Sequence, residues 1–322
     1  MRIGLKCKNG FVVLTAVLIF LIVFSRMLCL SHEMNNHPDE GVFVHSATSM
    51  ANVLLGVESE YSEVKPYPQG SYFFYAPFQI IFKLININAS TRLANRIGAL
   101  FYYTIGCITG LRIVQHFFKK DRLSALLYIL LCVFSIFHIE QSRYGTGDPI
   151  SFALLILSVY SSAQFLKAKA NSARGSIYLS FCLVGFAAAV KYPLVYCVLI
   201  PLASLILGEG NQWKKCVLRI VIGLMIMACS FLLLSPGVVG DFGYLNKVIN
   251  REMDAYIYSG NTTEIGGLRN HILSVFFYWF LYSDILFSPV FFFLAIRKIH
   301  NSVCKKNLLL RFILHMFYLR SS

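Results

Sequence analysis

A polytopic bundle of transmembrane α-helices, with no soluble domain, is predicted by three features of this chain. Charged residues make up only 14% of its 322 residues while 57% are hydrophobic; a soluble domain carries roughly 25% charged residues. Apolar runs long enough to cross a bilayer recur along the whole length, which excludes a soluble enzyme with one anchor. The connectors between those runs are alternately basic and acidic, and mean hydropathy is +0.64. In a soluble protein the net charge of +14 would point to nucleic acid. Here the cations sit in short connectors, the pattern that fixes membrane orientation, so the partner is the lipid bilayer and not nucleic acid. The nine cysteines (Cys7, Cys29, Cys107, Cys132, Cys182, Cys197, Cys216, Cys229 and Cys304) form no C-x-x-C pair. They read as small core hydrophobes, not as a disulfide framework or a zinc site.

The elements follow in order. A basic tip (Arg2, Lys6, Lys8) precedes the apolar run Phe11 to Leu30. That run has about 20 residues, enough to span, and no small-x-small cleavage site, so it reads as an uncleaved first helix. Further spans are predicted at about 93–117, 123–139, 149–166, 176–190, 193–208, 216–235 and 271–296. The basic connectors are 1–10, Lys119 to Arg122, Lys167 to Arg174, Lys214–Lys215 and Arg297 to Lys306. The acids (Glu33, Asp39, Glu40, Glu58, Glu60, Glu63, Glu140, Asp148, Asp241, Glu252, Asp254 and Glu264) fall in the other set. The positive-inside rule puts the first set in the cytoplasm and the second outside.

This alternation holds only if 72–88 does not cross. The segment is short, contains Pro77 and is ringed by tyrosine, which suits a helix lying in the interface. Residues 1–300 thus form one transmembrane domain, with outer loops at about 31–91 and 236–268. A long acidic loop such as the first is rarely a mere connector. Lys191–Tyr192–Pro193 marks a tight outer turn between two shorter spans. Residues 301–322 are a cytoplasmic loop and a short apolar end. Its stretch Leu308 to Leu319 is too short to span; it reads as an interfacial element or as the cut end of a longer chain.

Four groups of residues carry potential chemistry. In His37–Pro38–Asp39–Glu40 a Pro-stiffened turn presents two carboxylates, one as a general base, the other as a hydrogen-bonding or metal-binding neighbour; the plain alternative is an acidic surface loop. Glu140 to Pro149 packs Arg143, Tyr144, a Gly-x-Gly segment and Asp148 at a span mouth. Asp148 is expected to N-cap the next helix, with Pro149 at its first position. Arg143 either snorkels or grips a lipid phosphate bidentately. Lys191 likewise either snorkels or supplies a second cation for a phosphate. The outer loop Pro236 to Leu268 carries Asp241, Lys247, Arg251, Glu252, Asp254, Tyr256 and Tyr258, with the spacing of a surface amphipathic helix. Asp284 lies deep in the last predicted span, where an ionisable group is costly unless it faces the bundle interior. His32, His37 and His45 flank Asp39 and Glu40; together they suggest a divalent cation, although the spacing matches no standard metal motif. Asn88-Ala-Ser90 and Asn261-Thr-Thr263 are glycosylation sequons on the expected outer face.

The order of these features resembles that of the GT-C membrane glycosyltransferases of the protein O-mannosyltransferase and aminoarabinose transferase type, over about residues 11–300. A first span leads to His-Pro-Asp-Glu-Gly, then to Pro66–Tyr67–Pro68–Gln69–Gly70 and an interfacial helix. Arg92 and Arg96 open the next span, Ser-Arg-Tyr stands with an Asp five residues past the Arg, and Lys-Tyr-Pro precedes an outer loop beginning Leu-Ser-Pro. The resemblance implies a GT-C fold and transfer of a sugar from a polyprenyl-phosphate donor to a glycan, lipid or protein acceptor, with inversion at the sugar. Asp39 would be the acceptor-activating base with Glu40 beside it. Arg143 and Lys191 would hold the donor phosphate, Asp148 would share the site, and His37, Tyr144, Arg251 and Glu252 would belong to a substrate loop. No cofactor is certain; the candidate is a divalent cation on His37, Asp39 and Glu40. The expected setting is a bacterial inner membrane with the site facing the periplasm, the endoplasmic reticulum membrane being the alternative. Longer members of the family continue with more spans or an outer domain. A transporter or flippase for lipid-linked sugars and an inactive truncated homologue are the competing readings. The first of these would show internal repeats and polar groups at the midplane.

Overall fold

The computed structural model describes residues 3–30, 39–58, 68–85, 91–117, 122–134, 139, 142–167, 174–209, 212–240, 243, 246, 247 and 250. All belong to one compact unit, 1–134 with 138–261. Every regular element among them is helical: α1 (Ile3–Leu30), α2 (Glu40–Leu54), α3 (Gly70–Leu84), α4 (Thr91–Phe117), α5 (Arg122–Phe134), α6 (Gly147–Lys167) and α7 (Arg174–Val190), then a 3-10 helix (Tyr192–Val198) running into α8 (Leu199–Glu209), α9 (Trp213–Leu233) and the short α10 (Pro236–Gly240). Helices are the expected answer to apolar runs of this length, because each satisfies its backbone groups internally.

Four of these stretches, Thr91–Phe117, Gly147–Lys167, Tyr192–Glu209 and Trp213–Leu233, are long and apolar enough to cross a membrane. Three more of the expected spans are present as shorter apolar helices, Val13–Arg26, Leu123–Phe134 and Gly175–Val190. The eighth expected span, 271–296 with Asp284, lies outside the described residues, as do both sequons. The first outer loop contains two helices where one was expected: α2 immediately follows Asp39, and α3 occupies most of 72–88 with Pro77 inside it. Neither has the length of a span.

The helices pack chiefly through three apolar clusters, with a smaller fourth of Val238, Tyr192 and Phe231. Leu18 and Ile22 of α1 meet Tyr103, Cys107 and Leu111 of α4 and Ile129 of α5. Ala47 of α2, Tyr75 of α3 and Ala99 of α4 meet Ile150 of α6 and Ala187 of α7. Phe165, Ile177, Phe181, Leu205 and Cys216 join α6 to α9. Where only lipid surrounds a bundle, small residues and interhelical hydroxyls supply the adhesion. Both devices occur here. A Cβ on Gly185 would lie 2.4 Å from the Met227 carbonyl oxygen, so α7 and α9 touch backbone to backbone. The Ser180 hydroxyl of α7 meets those of Ser158 (2.7 Å) and Ser162 (2.8 Å) on α6. The reading of the cysteines as core holds for Cys107, Cys132 and Cys216, which are buried; Cys182 and Cys197 are partly buried and Cys229 is exposed, and all six are free thiols.

One local expectation is corrected. Asp148 does not N-cap α6: the helix starts at Gly147, so Asp148 lies in its first turn and Pro149 one place further in. The Pro is tolerated because first-turn N–H groups have no intrahelical partner. The break at Lys191 is as expected; its backbone is extended (φ −144°), and the next helix starts at Tyr192 with Pro193 second.

Candidate functional site

Glu40, the first residue of α2, is fully buried. Its carboxylate is forked by Arg96 of α4, Nε to Oε1 and a terminal nitrogen to Oε2, both at 2.8 Å. Arg92, one turn earlier, stands 3.8 Å away, and the Gly145 backbone N–H donates to Oε1 at 3.0 Å. A buried carboxylate is tolerable only when its lone pairs are filled in this way. The consequence is architectural. One side chain ties the start of α2 to the start of α4 and to the segment 142–147. Gly145 is required for the approach, since a Cβ there would lie 2.6 Å from the Asn95 Cβ.

α3 holds the same segment from another side. The Tyr75 hydroxyl donates to the Thr146 carbonyl, and Gln79 donates to Asn95 Oδ1 (2.7 Å) and to the Thr91 carbonyl (2.6 Å). Burial pushes the Tyr75 phenol well above its usual 10.0, and the nearby Tyr102, Asp148 and Glu40 push it the same way. It therefore remains a neutral donor. At its N-terminus α3 presses on α7: a Cβ on Gly70 would lie 2.7 Å from the Ala189 carbonyl. Gln69 accepts the Gly237 N–H at 2.8 Å, bringing the segment after α9 to this end of the bundle.

Two cationic groups border this hub. Arg143 lies over the Tyr144 ring, 4.8 Å from its centroid, and donates to the Tyr144 hydroxyl at 2.7 Å. Arg96 approaches the same ring at 5.9 Å. Lys191, just past α7, is ion-paired to Asp148 of α6, and their side chains are 48% and 31% exposed. Gly147 brings the two helix ends together, a Cβ there falling 3.2 Å from Val190. Glu40, Arg143, Tyr144, Asp148 and Lys191 thus belong to one contiguous end of the bundle.

Asp39 stands at the N-cap position of α2, half-buried. Its carbonyl accepts from Val42, while its side chain does not cap the helix. It leads directly into the Glu40 hub. His45, in α2, is exposed. Among the described residues no three His, Cys, Asp or Glu side chains converge as a metal ion requires. His32, His37, Arg251, Glu252, Asp254 and Asp241 lie outside the described residues; Lys247 is exposed.

Two features were not predicted. Arg92 and Arg96 serve as the partners of Glu40, and their i, i+4 spacing at the head of an apolar run was the available signal. Arg26, inside the first apolar run, is fully buried; a single cation within such a run marks it.

These features define the class: an all-helical membrane protein of several spans, with a polar hub around Glu40, Asp148 and Lys191 and a separate buried ion pair, Glu209 with Arg219, between α8 and α9. No family model, curated protein or solved structure matches the chain.

Proposed function

We propose that the chain is a GT-C type membrane glycosyltransferase that moves a sugar from a polyprenyl-phosphate donor to an acceptor hydroxyl on the non-cytoplasmic side. The observation that carries this reading is the common end shared by Arg143, the Asp148–Lys191 pair and the Glu40 hub that Asp39 leads into. A lipid-linked phosphate is confined to headgroup depth, where cations at helix mouths meet it. Arg143 offers a planar guanidinium and Lys191 a mobile, partly exposed ammonium. Positive-inside bias disfavours cations at an outer end, so their concentration at this one fits an anionic ligand.

In the proposed reaction the acceptor oxygen attacks the anomeric carbon as the bond from that carbon to the phosphate oxygen breaks. The acceptor's proton passes to Asp39. The electron pair of the broken bond stays on the departing polyprenyl phosphate, where Arg143 and Lys191 offset the growing charge. A single displacement inverts the sugar. Glu40 is not the base in this scheme, since Arg96 and Gly145 engage both its oxygens; it fixes the position of Asp39. Asp148 holds Lys191 until a phosphate competes for it. The proposed setting is a bacterial inner membrane with this end in the periplasm.

The test supplies membranes bearing the protein with a panel of radiolabelled polyprenyl-phosphate sugars. Label is expected to reach an acceptor from at least one donor, and Asp39→Asn is expected to stop transfer at unchanged expression. Transfer that survives Asp39→Asn removes the base from this scheme. No transfer from any donor, with transport of a lipid-linked sugar instead, replaces the reading altogether.

A further inference from the structure

Arg26 is the largest fully buried side chain among the described residues, and the chemistry proposed above makes no use of it. Its cost in an apolar setting is high unless all its donors are satisfied. None of the carboxylates among the described residues forms an ion pair with it. Its partners are neutral. One terminal nitrogen donates to the Cys132 carbonyl (2.9 Å); the other donates to the Val133 carbonyl (2.7 Å) and to the Ser25 hydroxyl (2.7 Å). Nε donates to the Ser142 hydroxyl at 3.1 Å, and the group lies 5.7 Å from the centre of the Tyr103 ring.

Cys132 and Val133 belong to the last turn of α5, whose carbonyls have no partners within the helix and carry its negative pole. α1 therefore caps α5 from outside. The fourth bond reaches further. The Ser142 hydroxyl donates its hydrogen bond to the Ile139 carbonyl (3.1 Å), so its oxygen is left to accept from Arg26. Ser142 is followed directly by Arg143, and Gly145 binds Glu40. One guanidinium thus pins the end of α5 and the start of 142–147 to the same point. A lysine cannot do this, because its donors radiate from one atom and do not span the separated acceptors.

We propose that Arg26 is a positioning residue, acting through Ser142 to hold the 142–148 segment and with it Arg143. That Arg143 meets a donor phosphate rests on the function proposed above; that Arg26 orders the segment does not.

The experiment compares the full-length wild type, Ser142→Ala, Arg26→Lys and the double variant in lipid nanodiscs. It reads amide hydrogen exchange by peptide and the affinity for sugar-free polyprenyl phosphate. Arg26→Lys is expected to speed exchange across 142–148 about ten-fold, and Ser142→Ala several-fold, through local opening. Peptides from α7 and α9 are expected to stay unchanged. The double variant is expected to match Arg26→Lys, since both act on one bond, and phosphate affinity is expected to fall about ten-fold in step. Exchange over 142–148 that stays at the wild-type rate in Ser142→Ala overturns the proposal, even if Arg26→Lys fails to fold. So does a rise spread evenly over all helices, which is the mark of a purely structural role. A wild type that binds no polyprenyl phosphate removes the glycosyltransferase reading instead, and the exchange pattern still decides the role of Arg26.

Discussion

Two carboxylate–cation pairs stand at the same end of this bundle and are built in opposite ways. Glu40 is sealed, with both oxygens filled by Arg96 and by the Gly145 amide. Asp148 and Lys191 face outward, each substantially exposed. Burial makes the first pair costly to break and slow to exchange partners. Exposure makes the second cheap to break and open to a competing anion. Adjacent placement of charges therefore does not define a role. The sealed pair sets where three elements meet, and the open pair is the one able to change partners.

The strongest way to break this contrast is Glu40→Ala. It strands Arg96 in a buried site and is expected to cost about 3–5 kcal/mol, read as a large fall in the midpoint of thermal unfolding in detergent. A result near wild type would show that Glu40 is no keystone. Gly145→Ala attacks the same hub from the backbone side, where the new methyl meets Asn95. About 1–3 kcal/mol of destabilisation is expected from such overpacking, together with loss of transfer activity, while the Asp148–Lys191 pair is left in place. Lys191→Gln is expected to leave stability within about 1 kcal/mol but, under the proposed function, to cut sugar transfer about 10²–10³-fold. Unfolding and transfer assays on one preparation separate the two effects. The smallest effect sharpens the contrast by salt alone. Raising ionic strength is expected to weaken donor-phosphate binding at the exposed cations while leaving the unfolding midpoint contribution of the Glu40 hub unchanged, because buried pairs are screened far less.

The helices were legible because apolar runs bounded by charge or proline leave few alternatives. That the region around Pro77 is no full-length span was legible for the same reason, and so was the break at Lys191. What stayed hidden depends on pairing across the chain. Arg96 is 56 residues from Glu40 and Ser142 is 116 from Arg26, and no local pattern announces such partners. That Glu40 is the buried member of the Asp39–Glu40 pair, held by Arg96 and the Gly145 amide, was likewise not written in the local sequence. Asp148 was misplaced by one residue because its neighbour Gly147 already belongs to the helix.

The hydroxyl trio between α6 and α7 limits how the Lys191 end can travel. Ser158 and Ser162, one turn apart on α6, share the single hydroxyl of Ser180. A lengthwise slip shorter than one helical pitch, about 5.4 Å, would part both hydroxyl pairs. Lys191, at the tip of the same helix, is thereby held at a fixed height along the bundle axis. Movement of its ammonium then comes from rotation about its own four-carbon stem more readily than from a piston stroke of the helix beneath it.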